Sequence, residues 1–262
     1  WIAHLMSRRF NDEGPQVIDA DDRQIVEKQY HAAIRYLDRQ VQELIAMLEH
    51  RGLLDRTLVI IASDHGEYLN THGMWDHRYL AYNDVAHVAL MIREPGREGR
   101  VRVSTPVQLS DIAGMVYEQV GLEAAAAEDM AMRLADVAEW RDVNRVGITE
   151  YNGPTPMRLM RRVRRDRPQE HREYPQIAAQ DRRYKLMISE DGTRELYDLR
   201  ADSGELENVV GGYSDEAARL AAYIEEWKAR RVEFEPRKRR SEEMDPDTER
   251  ALRSLGYLGD DD

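Results

Sequence analysis

Apolar residues recur every three to four positions across residues 22–50, with charged and amide side chains between them. A period near 3.6 residues is typical of an amphipathic helix with one face turned toward a core. Gly52 stands just beyond this segment, where the end of a helix favours glycine. We therefore predict a helix over 22–50. The recurring apolar residues are Ile25, Tyr30, Ile34, Leu37, Val41, Leu44 and Leu48.

Continuous apolar runs rich in β-branched residues indicate strands. The run over 57–62 is the clearest, a second covers 85–92, and a weaker one covers 145–149. Such runs are typical of strands that are buried on both faces of a parallel sheet. Residues 107–120 return to a helical period and stop at Gly121. Helices that alternate with buried strands predict an α/β fold with a mainly parallel sheet flanked by helices.

The last third of the chain has a different pattern. Residues 151–181 are rich in proline and arginine, which predicts a loop or linker. Two alternating runs, 184–189 and 195–199, flank an Asp-Gly pair that favours a type I′ hairpin turn. A further amphipathic helix is predicted over 213–231. The predicted organisation is an α/β domain in 1–150, a linker in 151–181, and a small α+β subdomain with a short antiparallel sheet and a charged tail in 182–262.

Composition narrows the classes of function. A net charge of −12 argues against nucleic acid as the main partner, because phosphate binding needs clustered cations. No apolar run is long enough for a transmembrane helix. The chain has no cysteine, so disulfides, thiolate ligands and a cysteine-derived nucleophile within it are excluded. It begins at Trp1 without the features of a signal peptide, and we interpret this start as a truncation.

The densest chemistry follows the strand at 57–62. Asp64 and His65 come directly after it, at the position where ligands gather in open α/β folds. An adjacent carboxylate and imidazole can bind one divalent cation, and Gly66 allows a sharp turn behind them. Half of the eight histidines in the chain lie in this region: His65, His72, His77 and His87.

The residues alone leave other readings open. Asp64 could cap a following helix, since aspartate is favoured at that position. Glu67 could be a first-turn acid or a neighbour that bonds a metal ligand. His87 lies within an apolar run, and we interpret it as a core histidine.

Several stretches together resemble the sulfatase family of the alkaline phosphatase superfamily. In that family a strand ends in Ser/Thr-Asp-His-Gly-Glu, a His-Gly pair follows, and a later strand begins with His or Arg. Ala89 stands here where the family usually has proline, and Arg8 and Arg9 stand near the place of a family substrate-binding histidine. The matching stretches are 58–67, 72–73, 75–77 and 87–92, with further similarity at 32–38, 52–55, 109–112, 195–199 and 252–258.

The resemblance implies roles for four residues. Asp64 and His65 correspond to ligands of a divalent cation, usually Ca²⁺, which two acidic residues near the amino terminus also hold in the family. His77 falls where the family has a catalytic and substrate-binding Lys or His that contacts the anionic oxygens of the ester or assists the leaving group. His72 is a substrate-binding neighbour. The family nucleophile is a formylglycine, and we expect it only in a missing amino-terminal part.

Three functions follow as hypotheses. The first is hydrolysis of a small-molecule or glycan sulfate ester by the complete protein. The second is a phosphodiesterase, phosphonate hydrolase or phosphoethanolamine transferase of the same superfamily, with Mn²⁺ or Zn²⁺. The third is an inactive fragment with a partial metal site. We expect the isolated chain to lack catalytic turnover and to aggregate. The family resemblance points to a periplasmic or secreted location. The sequence leaves the oligomeric state open.

Overall fold

The computed structural model describes residues 20–69, 71–77, 80–122, 145–153 and 174–231, together with residue 248. The chain divides into two compact units, Trp1–Glu226 and Trp227–Asp262. All the strands described lie in the first unit. In the second unit, the Arg231 guanidinium lies over the Trp227 ring at 5.7 Å from its centroid. The predicted tail beyond residue 231 lies outside the described residues, apart from residue 248.

Helix α1, Ala20–His50, confirms the helix predicted over 22–50. Much of its apolar face is exposed: Leu37 is 61% exposed and Ile34 is 49% exposed, whereas Tyr30, Val41 and Leu48 are half-buried. Among the α1 side chains that the structure describes, Val26 alone is buried. The period of a sequence identifies which side of a helix is apolar, but it carries no information about what packs on that side.

Charged substitutions on this face should reduce self-association of the 262-residue chain, since exposed apolar patches associate in water. We expect the double variant Leu37→Lys, Leu44→Lys to sediment at a lower average mass than the parent chain. Its melting temperature should change little, because both side chains are already about half exposed or more. Leu220→Lys, at a fully buried position, serves as the destabilised control. Equal association of parent and double variant would contradict the prediction.

Strand β1, Val59–Ala62, confirms the strand predicted over 57–62. It pairs with β4, Leu90–Arg93, and the two are antiparallel. The prediction that these two runs form a parallel sheet is wrong for this pair, and every other strand pair among the described residues is antiparallel as well. Both strands are half-buried or exposed. An apolar run indicates burial, whereas strand direction depends on how the connecting chain returns.

The run at 85–92 is not one strand. Its first part belongs to the short helix α2, Asn83–Ala86, and β4 follows only at Leu90. A two-stranded ribbon lies between β1 and α2, formed by β2, Tyr68–Leu69, and β3, Trp75–Asp76. This ribbon reverses the chain and brings it back beside β1.

A four-stranded antiparallel sheet forms the carboxy-terminal half of the described structure, in the order β5-β6-β7-β8. The β7–β8 hairpin confirms the one predicted from the alternating runs. Strand β6 lies within the segment predicted as a loop, so that prediction is wrong for those residues; 154–173 lie outside the described residues. The bounds are Gly147–Tyr151 for β5, Gln176–Gln180 for β6, Tyr184–Ser189 for β7 and Arg194–Asp198 for β8.

The sheet contains strands from both sides of the predicted domain boundaries at 150 and 181. These domain boundaries stay a prediction. At the β7–β8 turn only Gly192 has a positive φ, so the turn is not type I′, which would also need one at Asp191. Helix α3, Asp111–Gln119, and helix α4, Ser214–Arg230, confirm the two remaining predicted helices, α3 being the shorter part of 107–120. None of the helices described has the length and apolar character needed to cross a membrane.

The main core joins the large sheet to the segment that carries the candidate chemistry. Sheet residues such as Met187 and Tyr197 pack in one cluster with Tyr68 and Met74 of the ribbon. The remaining buried members of the cluster are Leu80, Ala81, Tyr82 and Ala178. The sheet therefore forms the base on which the loops after β1 are held.

Candidate functional site

The loop after β1 begins as the sequence predicts. Ser63 still continues the strand pairing, because its N–H donates to the Ala89 carbonyl at 3.0 Å. Its hydroxyl donates to the His65 carbonyl at 2.7 Å and so closes a local turn. Asp64 and His65 therefore stand directly beyond the end of a paired strand.

The atoms of Asp64 and His65 that could bind a metal ion lie close to one another. Asp64 Oδ2 lies 3.7 Å from His65 Nε2. His65 Nδ1 lies 2.9 Å from the Gly66 carbonyl, which can only accept, so Nδ1 carries the proton and the neutral ring keeps Nε2 as its lone-pair nitrogen. Ligand atoms lie about 2.0–2.6 Å from a divalent ion, and two atoms 3.7 Å apart can share one.

A second contact brings Glu67 and His77 to the same place. The β2–β3 register pairs Tyr68 with Asp76, which sets Glu67 opposite His77 at the open end of the ribbon. His77 Nδ1 donates to Glu67 Oε1 at 2.9 Å. The His77 ring stacks on the His65 ring, with centroids 3.9 Å apart. Donor atoms of His65, Glu67 and His77 all lie within 4.8 Å of one another.

These donors fit a divalent cation. Imidazole nitrogen and carboxylate oxygen together are accepted by Zn²⁺ and similar ions, whereas Ca²⁺ prefers oxygen ligands. The side chains are half-buried, apart from that of Asp64, which is 69% exposed. The structure thus brings together three of the predicted site residues, Asp64, His65 and His77, and it adds Glu67. The identity of the ion stays a prediction.

Gly66 fixes the loop against α2. Its N–H donates to the Val85 carbonyl at 2.9 Å. A Cβ added at Gly66 would lie 2.0 Å from the Asp84 carbonyl oxygen, far inside any tolerable contact. Glycine is needed here for close backbone approach, and the site loop and α2 are in direct main-chain contact.

His72 lies in a different environment from the other predicted residues. Its ring stacks on Tyr82 with centroids 3.9 Å apart, and its Nε2 lies 3.6 Å from Asp84 Oδ2. Only 8% of its side chain is exposed. Burial acts to raise the pKa of Asp84, but the neighbouring His72 and Thr71 side chains outweigh it and hold the pKa below its usual value. Substrate binding by His72 stays a prediction, and the structure places its ring in this buried contact.

His87 is exposed, so its interpretation as a core histidine is wrong. Its N–H donates to the Asn83 carbonyl at 3.0 Å and ends α2. The apolar run around it is divided between a helix and a strand, and the side chain falls at the junction.

Two buried charges behind the site were missed by the sequence analysis. Lys185 on β7 and Glu205 beyond β8 form an ion pair in which the side chains are 1% and 0% exposed. The signal for Lys185 was a lysine inside the otherwise apolar run at 184–188, which a hairpin strand would ordinarily turn to solvent. Glu205 lies in a polar stretch that contained no signal.

The sequence profile of the Sulfatase family matches residues 7–122. Choline-sulfatase from Rhizobium meliloti (strain 1021) is 29% identical over 185 residues, which cover 69% of this chain and 32% of that relative. The chain therefore spans about a third of the length of this curated relative.

Solved structures share the fold. A protein solved in complex with its substrate D-glucosamine-2-N,6-O-disulfate superimposes with a TM-score of 0.62 at 22% identity, over 87% of this chain and 45% of that one. The phosphonate monoester hydrolase of Agrobacterium radiobacter has a TM-score of 0.65 at 23% identity, over 82% of this chain and 43% of that one. The fold is thus alkaline-phosphatase-like, although the strands described contain no parallel pair. Residues 7–122 of this chain are thus similar to the Sulfatase family.

Proposed function

We propose that the protein containing this chain hydrolyses sulfate esters of small molecules or glycans. Asp64 and His65 hold a divalent cation at the end of β1. The observation that carries this proposal is the 3.7 Å separation of Asp64 Oδ2 and His65 Nε2, because both residues lie within the segment that matches the Sulfatase family. The activity is assigned to the whole protein, since the chain spans only 32% of its choline-sulfatase relative.

Each residue of the cluster has a distinct role in this proposal. The cation, when bound, supplies positive charge that stabilises anionic oxygens of the ester. His77 is oriented by the bond from its Nδ1 to Glu67, so its Nε2 is the nitrogen that binds the ester or delivers a proton to the leaving oxygen. The chain has no cysteine, so a formylglycine made from cysteine would come from residues outside it.

Phosphonate monoester hydrolysis is the second candidate. The observation that favours it is the shared fold with the Agrobacterium radiobacter phosphonate monoester hydrolase over 82% of this chain. Sulfate and phosphonate monoesters both carry anionic oxygens, and a cation with a neighbouring histidine can serve either reaction.

Metal binding tests the assignment of ligands on the 262-residue chain itself. We expect Asp64→Asn and His65→Ala each to weaken binding of Mn²⁺ or Ca²⁺ at least tenfold in calorimetric titrations, because the first removes the carboxylate charge and the second removes the imidazole nitrogen. His87→Ala is the matched control, since His87 is an exposed histidine that ends α2. Parent-like affinity in both site variants would show that these residues are not the ligands.

The reaction is tested on the product of the complete gene that encodes this chain. Aryl sulfate, aryl phosphonate monoester and aryl phosphodiester are compared at equal concentrations. Highest kcat/KM on the sulfate supports the proposal, and highest kcat/KM on the phosphonate supports the second candidate. The isolated 262-residue chain should hydrolyse none of the three.

A further inference from the structure

The Lys185–Glu205 pair is almost fully removed from water. Lys185 Nζ lies 2.8 Å from Glu205 Oε1, with side-chain exposures of 1% and 0%. Burial lowers the pKa of Lys185, and Glu205 opposes this shift. Taking two charges out of water is costly, and such a pair is often no more stabilising than apolar residues of the same volume. Stability alone is therefore a weak explanation for this pair.

Both charges bind one residue of the site region. Lys185 Nζ donates to Asn83 Oδ1 at 2.9 Å. The Asn83 N–H donates to Glu205 Oε2 at 2.5 Å. Asn83 is the first residue of α2, so the carboxy-terminal sheet and the turn after it hold this helix by its side chain and its main chain together.

The next two residues of α2, Asp84 and Val85, contact the loop at 64–67 that bears the proposed metal ligands. The Asp84 carbonyl lies against Gly66 so closely that no Cβ fits, and the Val85 carbonyl accepts the Gly66 N–H. Gly66 in turn connects His65 with Glu67. A shift of Asn83 would therefore move the backbone contacts of the loop that bears the ligands.

Glu205 has a backbone conformation that few side chains adopt. Its φ is +54°, in the left-handed region, and it is neither glycine nor asparagine. Its N–H donates to the Asp202 carbonyl at 3.3 Å, which closes a turn after β8. Strained backbone of this kind persists where the surrounding structure determines it, and it concentrates at functional sites.

We propose that Lys185 and Glu205 are positioning residues, which set the geometry of the ligand loop at 64–67 through Asn83, Asp84 and Val85. The geometric part of this inference stands on the contacts alone. Its consequence for metal affinity rests on the proposed function.

Amide hydrogen exchange of Gly66 tests the geometric part on the 262-residue chain. Lys185→Met removes one charge of the pair, and we expect it to accelerate exchange at Gly66 at least tenfold relative to the Leu186 amide in the centre of the sheet. Arg145→Met is the matched control. It breaks a different ion pair, in which Arg145 binds the Asp111 carboxylate and the Pro106 carbonyl. The Asp111 side chain is 2% exposed. In this control the ratio of Gly66 to Leu186 exchange should stay at the parent value.

A milder variant keeps the test decisive if Lys185→Met does not fold. Asn83→Ala leaves both charges paired and removes only the acceptor of the Lys185 bond, and it should accelerate Gly66 exchange about threefold relative to Leu186. Parent-like exchange at Gly66 in every folded variant would overturn the proposal, because the pair would then serve stability only.

Mn²⁺ affinity tests whether the positioning reaches the ligands. If the parent chain binds Mn²⁺, we expect about tenfold weaker binding in Lys185→Met or about threefold in Asn83→Ala, and parent-like binding in Arg145→Met. Unchanged affinity in the first two would overturn the link to the ligands. If the parent chain binds no Mn²⁺, its residues alone do not form a metal site, whereas the exchange measurement still decides the positioning.

Discussion

Gly66→Ala should destabilise the protein by about 3 kcal/mol or more, because inserting a methyl group into an occupied contact forces backbone apart. The new Cβ would meet the Asp84 carbonyl oxygen at 2.0 Å, its carbon at 3.0 Å and Val85 Cα at 3.3 Å. All three are main-chain atoms, so no side-chain rotation relieves the clash. The bond from Gly66 N to the Val85 carbonyl would be lost with it, and binding of a cation at Asp64 and His65 should be lost as well.

Urea unfolding and metal titration of the same samples measure both effects. Gly211→Ala is the matched control, since a Cβ there has nothing within 4 Å and the residue has no positive φ. That variant should lie within about 0.5 kcal/mol of the parent. If the two alanine variants unfolded at the same urea concentration, the close approach of the loop and α2 would be wrong.

His77→Ala should lower kcat/KM for the preferred ester by about 10²–10⁴-fold in the product of the complete gene, the range usual for loss of a general acid. The reason is geometric. His77 stacks on His65, and its Nδ1 is held by Glu67, so its Nε2 is presented beside the predicted metal ligand. The loss should fall mainly on kcat if His77 delivers a proton, and on KM if it only binds the ester equally in the ground and transition states.

His87→Ala supplies the control for removing a histidine, and its kcat/KM should equal that of the parent. Glu67→Gln tests the orienting bond: an amide oxygen can still accept from Nδ1, so its loss should be smaller than that of His77→Ala. Equal rates for His77→Ala and His87→Ala would remove His77 from the proposed mechanism. The kcat/KM of each variant is compared with that of His87→Ala, a variant at an exposed histidine of the same chain. General loss of solubility or expression therefore does not mimic the expected result.

Local patterns in the sequence were enough to predict the elements that depend on neighbours along the chain. The 3.6-residue period identified α1 and α4, because a helix bonds each residue to one four positions away. The alternating runs around Gly192 identified the β7–β8 hairpin for the same reason of proximity. The adjacency of Asp64 and His65 after an apolar run placed both at a strand end. The family resemblance supplied the predicted role of His77.

The contacts that join distant segments were decided only by the tertiary structure. The antiparallel pairing of β1 with β4 depends on the path of the ribbon between them, which an apolar run does not encode. The same ribbon sets Glu67 opposite His77, ten positions away along the chain.

By itself, then, the sequence determined the three longer helices, the hairpin and the place of Asp64 and His65 at a strand end, since each of these depends on bonds or periods within a few residues. The tertiary structure decided the strand directions, the exposure of α1 and the buried pair behind the site. Lys185 and Glu205 bind Asn83 from 102 and 122 positions away. Such contacts depend on how whole elements pack, and a pattern confined to one segment contains no record of its partner.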